Sequence, residues 1–190
     1  MRLVKYASNI MKQKLFIFLT LAFLGFASCE QEEELLSQNF SLTQVFDMDN
    51  GITNTTSYKE GNDAHSGKWF SRTDSAINFG FGYSYILPDS LMGRALDLSV
   101  EGWVRTGDVK NNCELVISVS TQDSLYIWVG CGVKNAIKNA NQWTLVSNNF
   151  RIGQEITSKP NLKITVLAHN VDAKSFFDVD DVKLSIKEEF

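Results

Sequence analysis

The feature that most restricts the fold is a repeating rhythm of two. Short runs of alternating apolar and polar residues cover 40–46, 96–105, 114–120, 125–133, 143–150, 162–169 and 176–186. Clusters of Gly, Asn, Asp and Ser separate them. Alternation puts successive side chains on opposite faces, the signature of a half-buried strand. No segment after residue 28 carries a helical period, and no internal repeat is present. The pattern therefore predicts an all-β fold, a β-sandwich jelly roll of about eight to nine antiparallel strands. Residues 134–141 could form one helical turn but read better as a loop, and 47–64 form the longest loop.

Two runs fix their own orientation. A three-residue loop, Thr121-Gln122-Asp123, sets Ser120 opposite Ser124. Val119 then faces Leu125, Ile117 faces Ile127, Leu115 faces Val129 and Cys113 faces Cys131. That aliphatic row must look into the core, and its last pair invites a cross-strand disulfide between Cys113 and Cys131. Glu114, Val116, Ser118, Tyr126, Trp128 and Gly130 take the opposite face. In 96–105, Leu96, Leu98, Val100 and Val104 share the core face. Asp97, Ser99, Glu101, Trp103 and Arg105 point the other way.

The N-terminal segment is of a different kind. Met11-Lys12-Gln13-Lys14 precedes an apolar run over 15–27, then Ser28-Cys29 and Glu30-Gln31-Glu32-Glu33-Glu34. A basic start, a short apolar stretch and a small residue before the cut make a secretory signal peptide, too short to span a bilayer. Residues 1–28 are read as this signal, with Met11 the initiator and 1–10 an upstream extension. Gly25-Phe26-Ala27-Ser28-Cys29 resembles a bacterial lipobox, in which the Cys becomes the lipidated N-terminus. The acidic tract resembles the export signal of Bacteroidetes surface lipoproteins. The resemblance implies a lipid anchor at Cys29, a tether over 29–38, a jelly-roll domain over 39–190, and a place on the outer face of the outer membrane. Three Asp-Ser-apolar tripeptides at 74–76, 89–91 and 123–125 resemble O-glycosylation acceptors of the same group.

Removing 1–28 takes away Arg2, Lys5, Lys12 and Lys14 and no acid, leaving 14 Lys+Arg against 22 Asp+Glu, a net charge of −8. With no basic cluster left, nucleic acid is excluded as a partner. Two thiols in an oxidising compartment are more often paired than catalytic.

Four stretches carry a wider resemblance: Ala64-His65-Ser66-Gly67-Lys68, Val100-Glu101-Gly102-Trp103-Val104-Arg105, Gln142-Trp143-Thr144-Leu145-Val146 with Phe150, and 176–184. Their order resembles the galactose-binding-like jelly rolls, especially carbohydrate-binding modules of the cellulase and xylanase type. That resemblance implies glycan binding without chemistry. It also implies a structural calcium where the first strand meets the last, held by Asp47 and by Asp180 or Asp181.

Aromatic rings stack on the apolar faces of sugars, and carboxylates, amides and guanidinium groups bond the hydroxyl rim. Trp128, Tyr126, Trp103, Arg105, Glu101 and Trp69 have those side chains and are the candidate glycan contacts, whereas Trp143 reads as structural. No enzyme is expected. Asp97 and Glu101 lie four apart on one strand face, roughly 13 Å from strand rise, which suits no glycosidase pair. No Gly-x-Ser-x-Gly elbow accompanies His65, and His169 reads as a hydrogen-bonded surface residue at a strand end. The expected role is polysaccharide capture or utilisation alongside other glycan-utilisation proteins. The alternative is an adhesin or structural subunit whose outward aromatics contact protein.

Overall fold

The computed structural model describes residues 39–50 and 56–189. The expected signal peptide, the expected lipid anchor at Cys29 and the expected tether lie outside the described residues. All described strands belong to one unit, Phe40–Phe190. Ten strands form it: β1 (Ser41–Phe46), β2 (Tyr58–Glu60), β3 (Trp69–Thr73), β4 (Phe79–Ile86), β5 (Leu96–Thr106), β6 (Cys113–Ser120), β7 (Leu125–Gly130), β8 (Thr144–Ile152), β9 (Lys163–Asn170) and β10 (Phe177–Glu188). The fold is a β-sandwich of two antiparallel sheets.

The six-stranded sheet runs β2-β3-β10-β5-β8, with β1 also on β10, and the four-stranded sheet runs β4-β9-β6-β7. β10 organises the larger sheet. Its whole length pairs with β5 on one side. On the other side its first residues take β3 and its later ones take β1. The changeover falls at a bulge between Asp180 and Lys183, where Asp181 adopts a left-handed φ of 47°. Such a conformation is uncommon outside Gly, with Asp and Asn among the tolerated exceptions.

The core lies between the sheets, as alternation requires. Leu96, Leu98, Val100 and Val104 of β5 and Val182, Leu184 and Ile186 of β10 face Leu115, Ile117 and Val119 of β6 and Ile164 and Val166 of β9, all buried. Gly102 continues the inward row of β5. A Cβ there would stand 2.8 Å from Leu115 Cδ2 and 3.3 Å from Val182 Cγ2, so only a residue without a side chain lets the sheets approach at this point.

The structure revises several expectations. β2 lies inside the stretch read as one long loop, and β3 and β4 escaped the list of alternating runs. Val133–Ala136 and Gln154–Thr157 each form a single helical turn. In the β6–β7 hairpin, Ser120 pairs with Leu125 across a four-residue loop. A bulge after that pair then sets Val119 opposite Ile127 and Ile117 opposite Val129. The register has therefore moved by two residues. Cys131 now donates its N–H to the Leu115 carbonyl at 2.9 Å, while Cys113 pairs with Asn170 of β9. The expected disulfide is absent: Cys113 and Cys131 are free thiols, both buried. Burial, and secondarily the charge of Glu114, pushes both thiols up to about 12. Leu125, assigned to the core row, is thrown outward by the bulge and is exposed.

Candidate functional site

The six predicted glycan contacts fall on two different sheets. Trp69, Glu101, Trp103 and Arg105 lie on the six-stranded sheet, and Tyr126 and Trp128 on the edge strand of the four-stranded one.

On the larger sheet the chain folds back over its own aromatics. The segment 61–68 lies against the outer ends of β5 and β10. His65 stacks on Trp103 with ring centroids 3.9 Å apart and 16° between planes. The His65 and Ser66 N–H groups donate to Asp180 Oδ2 at 3.0 and 3.2 Å. The Ser66 hydroxyl donates to Asp181 Oδ1, and His65 Nδ1 lies 2.6 Å from Asp181 Oδ2. One face of Trp103 is therefore taken by imidazole.

Arg105 points away from the core, as read, but it is covered and not free for a ligand. Its side chain is 8% exposed and bonds Asp178 Oδ2 through Nε and Nη2 at 3.0 and 2.7 Å. Arg72 completes the pair on Asp178, which is wholly buried. Arg105 also reaches Asp63, whose carboxyl that hydrogen bond holds below its usual range. The guanidinium lies 4.7 Å over Trp143, whose indole N–H donates to the Asp63 carbonyl. A buried carboxylate needs such partners, because removing a charge from water without them is costly. Trp143 is thus structural, as read from sequence. Glu101 pairs with Lys183 at 3.1 Å on the outer face, and Trp69 is partly exposed on β3. This end of the molecule is a stabilising clasp.

The calcium expectation meets the same clasp. Both Asp180 oxygens accept backbone N–H groups and both Asp181 oxygens have protein partners. Asp47 folds onto its own turn, accepting from the Asp49 and Asn50 backbone and the Asn50 amide. Calcium requires several oxygens converging on one point. These three carboxylates do not fit that requirement, and among the described residues no group of three or more His, Cys, Asp or Glu is placed to hold a metal. Burial raises the Asp180 carboxyl to about 6, only partly offset by the N–H groups donated to it.

The four-stranded sheet is different. Its outer face carries a row that crosses it: Phe79 of β4 is paired with His169 of β9, which is paired with Glu114 of β6. Phe79 and His169 stack with centroids 4.5 Å apart and planes within 4°. Trp128 of β7 meets His169 edge-on at 5.7 Å and donates its indole N–H to Glu114 Oε2 at 3.4 Å. By register Trp128 sits opposite Ser118, so its ring must lean along the strand, across Gly130, to reach Glu114. Gly130 makes room: a Cβ there would lie 3.1 Å from Glu114 Cδ. Val116, opposite Gly130 on this outward face, is wholly buried.

The ring keeps a free surface nonetheless, with Trp128 42% and Phe79 57% exposed. Beyond it, Ser84 and Thr165 share a hydroxyl hydrogen bond on the same face. Glu114, which the indole N–H meets, also lines a groove of about 260 Å³ with Asn112, Gly130 and Lys134. An exposed aromatic surface is thus flanked by acceptors and donors. The sequence reading named Trp128 and Tyr126 of β7 as candidates but not Phe79, His169 or Glu114. Glu114 was readable from its shared face with Trp128, whereas Phe79 needed the β4–β9 pairing.

No family model and no curated protein matches the chain. Solved structures resemble it in fold. A xylan-binding CBM22 domain of Paenibacillus barcinonensis Xyn10C is 15% identical with a TM-score of 0.45, covering 74% of this chain and 97% of that one. The C-terminal CBM6 of the Zobellia galactanivorans laminarinase LamC is 9% identical with a TM-score of 0.42, covering 75% and 98%. The VP2 subviral particle of infectious bursal disease virus is 8% identical with a TM-score of 0.43, covering 80% and 33%.

Proposed function

We propose that the protein binds glycan, without chemistry, on the outer face of its four-stranded sheet. The observation that carries this reading is the exposed Trp128–His169–Phe79 surface with Glu114 and the groove at its edge. A sugar ring stacks its C–H face on indole or phenyl, and Glu114, Asn112 and Lys134 meet its hydroxyl rim. The N-terminal sequence supports the rest of the proposal: a lipid anchor at Cys29 on the outer membrane, facing outward, in polysaccharide capture or utilisation. Affinity electrophoresis of the purified protein through gels containing xylan, β-1,3-glucan or cellulose derivatives tests the binding. Retardation that Trp128→Ala removes is expected; migration unchanged in every gel would overturn it.

A protein partner is the second reading, favoured by one observation. Ile86 and Leu125, at the other end of the same sheet, are 65% and 60% exposed, and Phe79 joins them in offering bare apolar surface.

A further inference from the structure

The proposed platform has one acidic group, and its placement bears on which glycans it takes. Glu114 lies at the edge of the indole, held there by the Trp128 N–H and by the space Gly130 leaves. It forms no ion pair among the described residues, although Lys134 lines the same groove. Its neighbour in register, His169, turns Nδ1 inward, where that atom is buried with no hydrogen-bond partner. The other polar groups on this face nearby, Ser84, Thr165 and Ser118, are neutral hydroxyls, and the cations are Lys134 in the groove and Lys163 at the far side of Thr165, so Glu114 is the anion against the indole.

We infer that the platform selects uncharged glycans, with Glu114 as the residue that sets this specificity. The inference rests on the glycan reading above. An ionised carboxylate is an acceptor only, so it bonds the vicinal hydroxyls of a neutral sugar without rearrangement. A uronate or sulfate stacked on the same indole would bring a second anion close to Glu114. Like charges this close, partly shielded from water, oppose each other enough to discriminate by about tenfold or more. Specificity here comes from repulsion as much as from attraction. The −8 balance of residues 29–190 acts in the same direction at longer range.

The test uses the full protein in affinity electrophoresis with matched polymers, hydroxyethylcellulose against carboxymethylcellulose and xylan against its carboxymethylated form. Unmodified protein is expected to bind the neutral member at least tenfold tighter, the gap narrowing in 0.5 M salt as screening grows. Glu114→Gln keeps the shape and removes the charge. It is expected to bind neutral polymer several-fold more weakly and to lose most of the discrimination, with an unchanged melting temperature. Equal affinity of the unmodified protein for both members, tighter binding of the charged member, or full discrimination retained by Glu114→Gln would each overturn the charge selection while leaving glycan binding standing. No retardation by any polymer, in either form, would overturn the glycan reading and this inference with it.

Discussion

Replacing Trp128 by Ala probes the platform and the sheet beneath it together. A free-standing surface indole would contribute almost nothing to stability, but this one leans over the sheet against His169 and Glu114. Trp128 is 42% exposed, so a little over half of its surface is out of water. A Trp side chain has about 200 Å² to bury, so roughly 110 Å² is lost to water on truncation. At about 25 cal/mol per Å² that is close to 3 kcal/mol, and slightly less once the retained Cβ is subtracted. The site lies at an edge strand and can relax, so about 2 kcal/mol is the expected loss, below the 3–5 kcal/mol typical of a core Trp. For a domain of this size the melting temperature should fall by roughly 4–8 °C, and glycan affinity should vanish. Trp128→Phe should recover part of both. Calorimetry paired with affinity electrophoresis measures the two effects separately. A Trp128→Ala protein with an unshifted melting temperature would refute the claim that the ring packs on the sheet, and normal affinity would move the site off this sheet.

Three further outcomes follow from other parts of the structure. Asp178→Ala should cost about 3–5 kcal/mol, because it strips Arg72 of its carboxylate and leaves the nearly buried Arg105 with only the exposed Asp63; a chemical denaturation midpoint unchanged from the parent would contradict the clasp. Asp180 is raised to about 6 from an ordinary 3.8. Below about pH 4 it is protonated in both folded and unfolded chains; between about 4 and 6 only the folded chain holds the proton. Its stabilising contribution is therefore present at low pH and is lost as pH rises through 6, up to about 3 kcal/mol. The stability difference between the parent and Asp180→Asn should follow that curve, and a flat difference from pH 4 to 7 would reject it. Cys113 and Cys131 should alkylate only after unfolding, with no prior reductant; a mass two hydrogens light in the unfolded, unreduced protein would show a bond between them.

How far the sequence could be read depends on which constraint each element obeys. The inward rows of β5 and β6 were legible because a buried face must repeat every second residue, whatever the turns do. The hairpin shows where this stops. One extra loop residue and one bulged residue shift the pairing by two, so every face assignment in β6 survives while the cysteines lose their opposition. Parity is robust; register is not. β4 was missed because Phe79-Gly80-Phe81-Gly82-Tyr83 alternates by size and not by polarity. Arg105 shows a subtler failure. It does point away from the core as read, yet segment 61–68 covers it, and a covering loop leaves no period in the sequence. Glu114 and Trp128 were visible as face-mates, but their joining to Phe79 and His169 depends on two strand pairings some fifty to ninety residues apart in the chain.

The central position of β10 has a consequence in time. This strand is the last of the domain to leave the ribosome, yet β1, β3 and β5 all pair with it, β1 with no other strand. Until residues 177–188 are available, β1 has no neighbour in the larger sheet, and Arg72 and Arg105 have no Asp178 to meet. Pairing across more than a hundred residues closes large loops before any contact rewards them, which makes folding slow. A nascent chain of this topology should stay protease-sensitive until its final strand is made, then acquire resistance in one step. An order of events of that kind would suit the export across a membrane that the proposed lipid anchor requires.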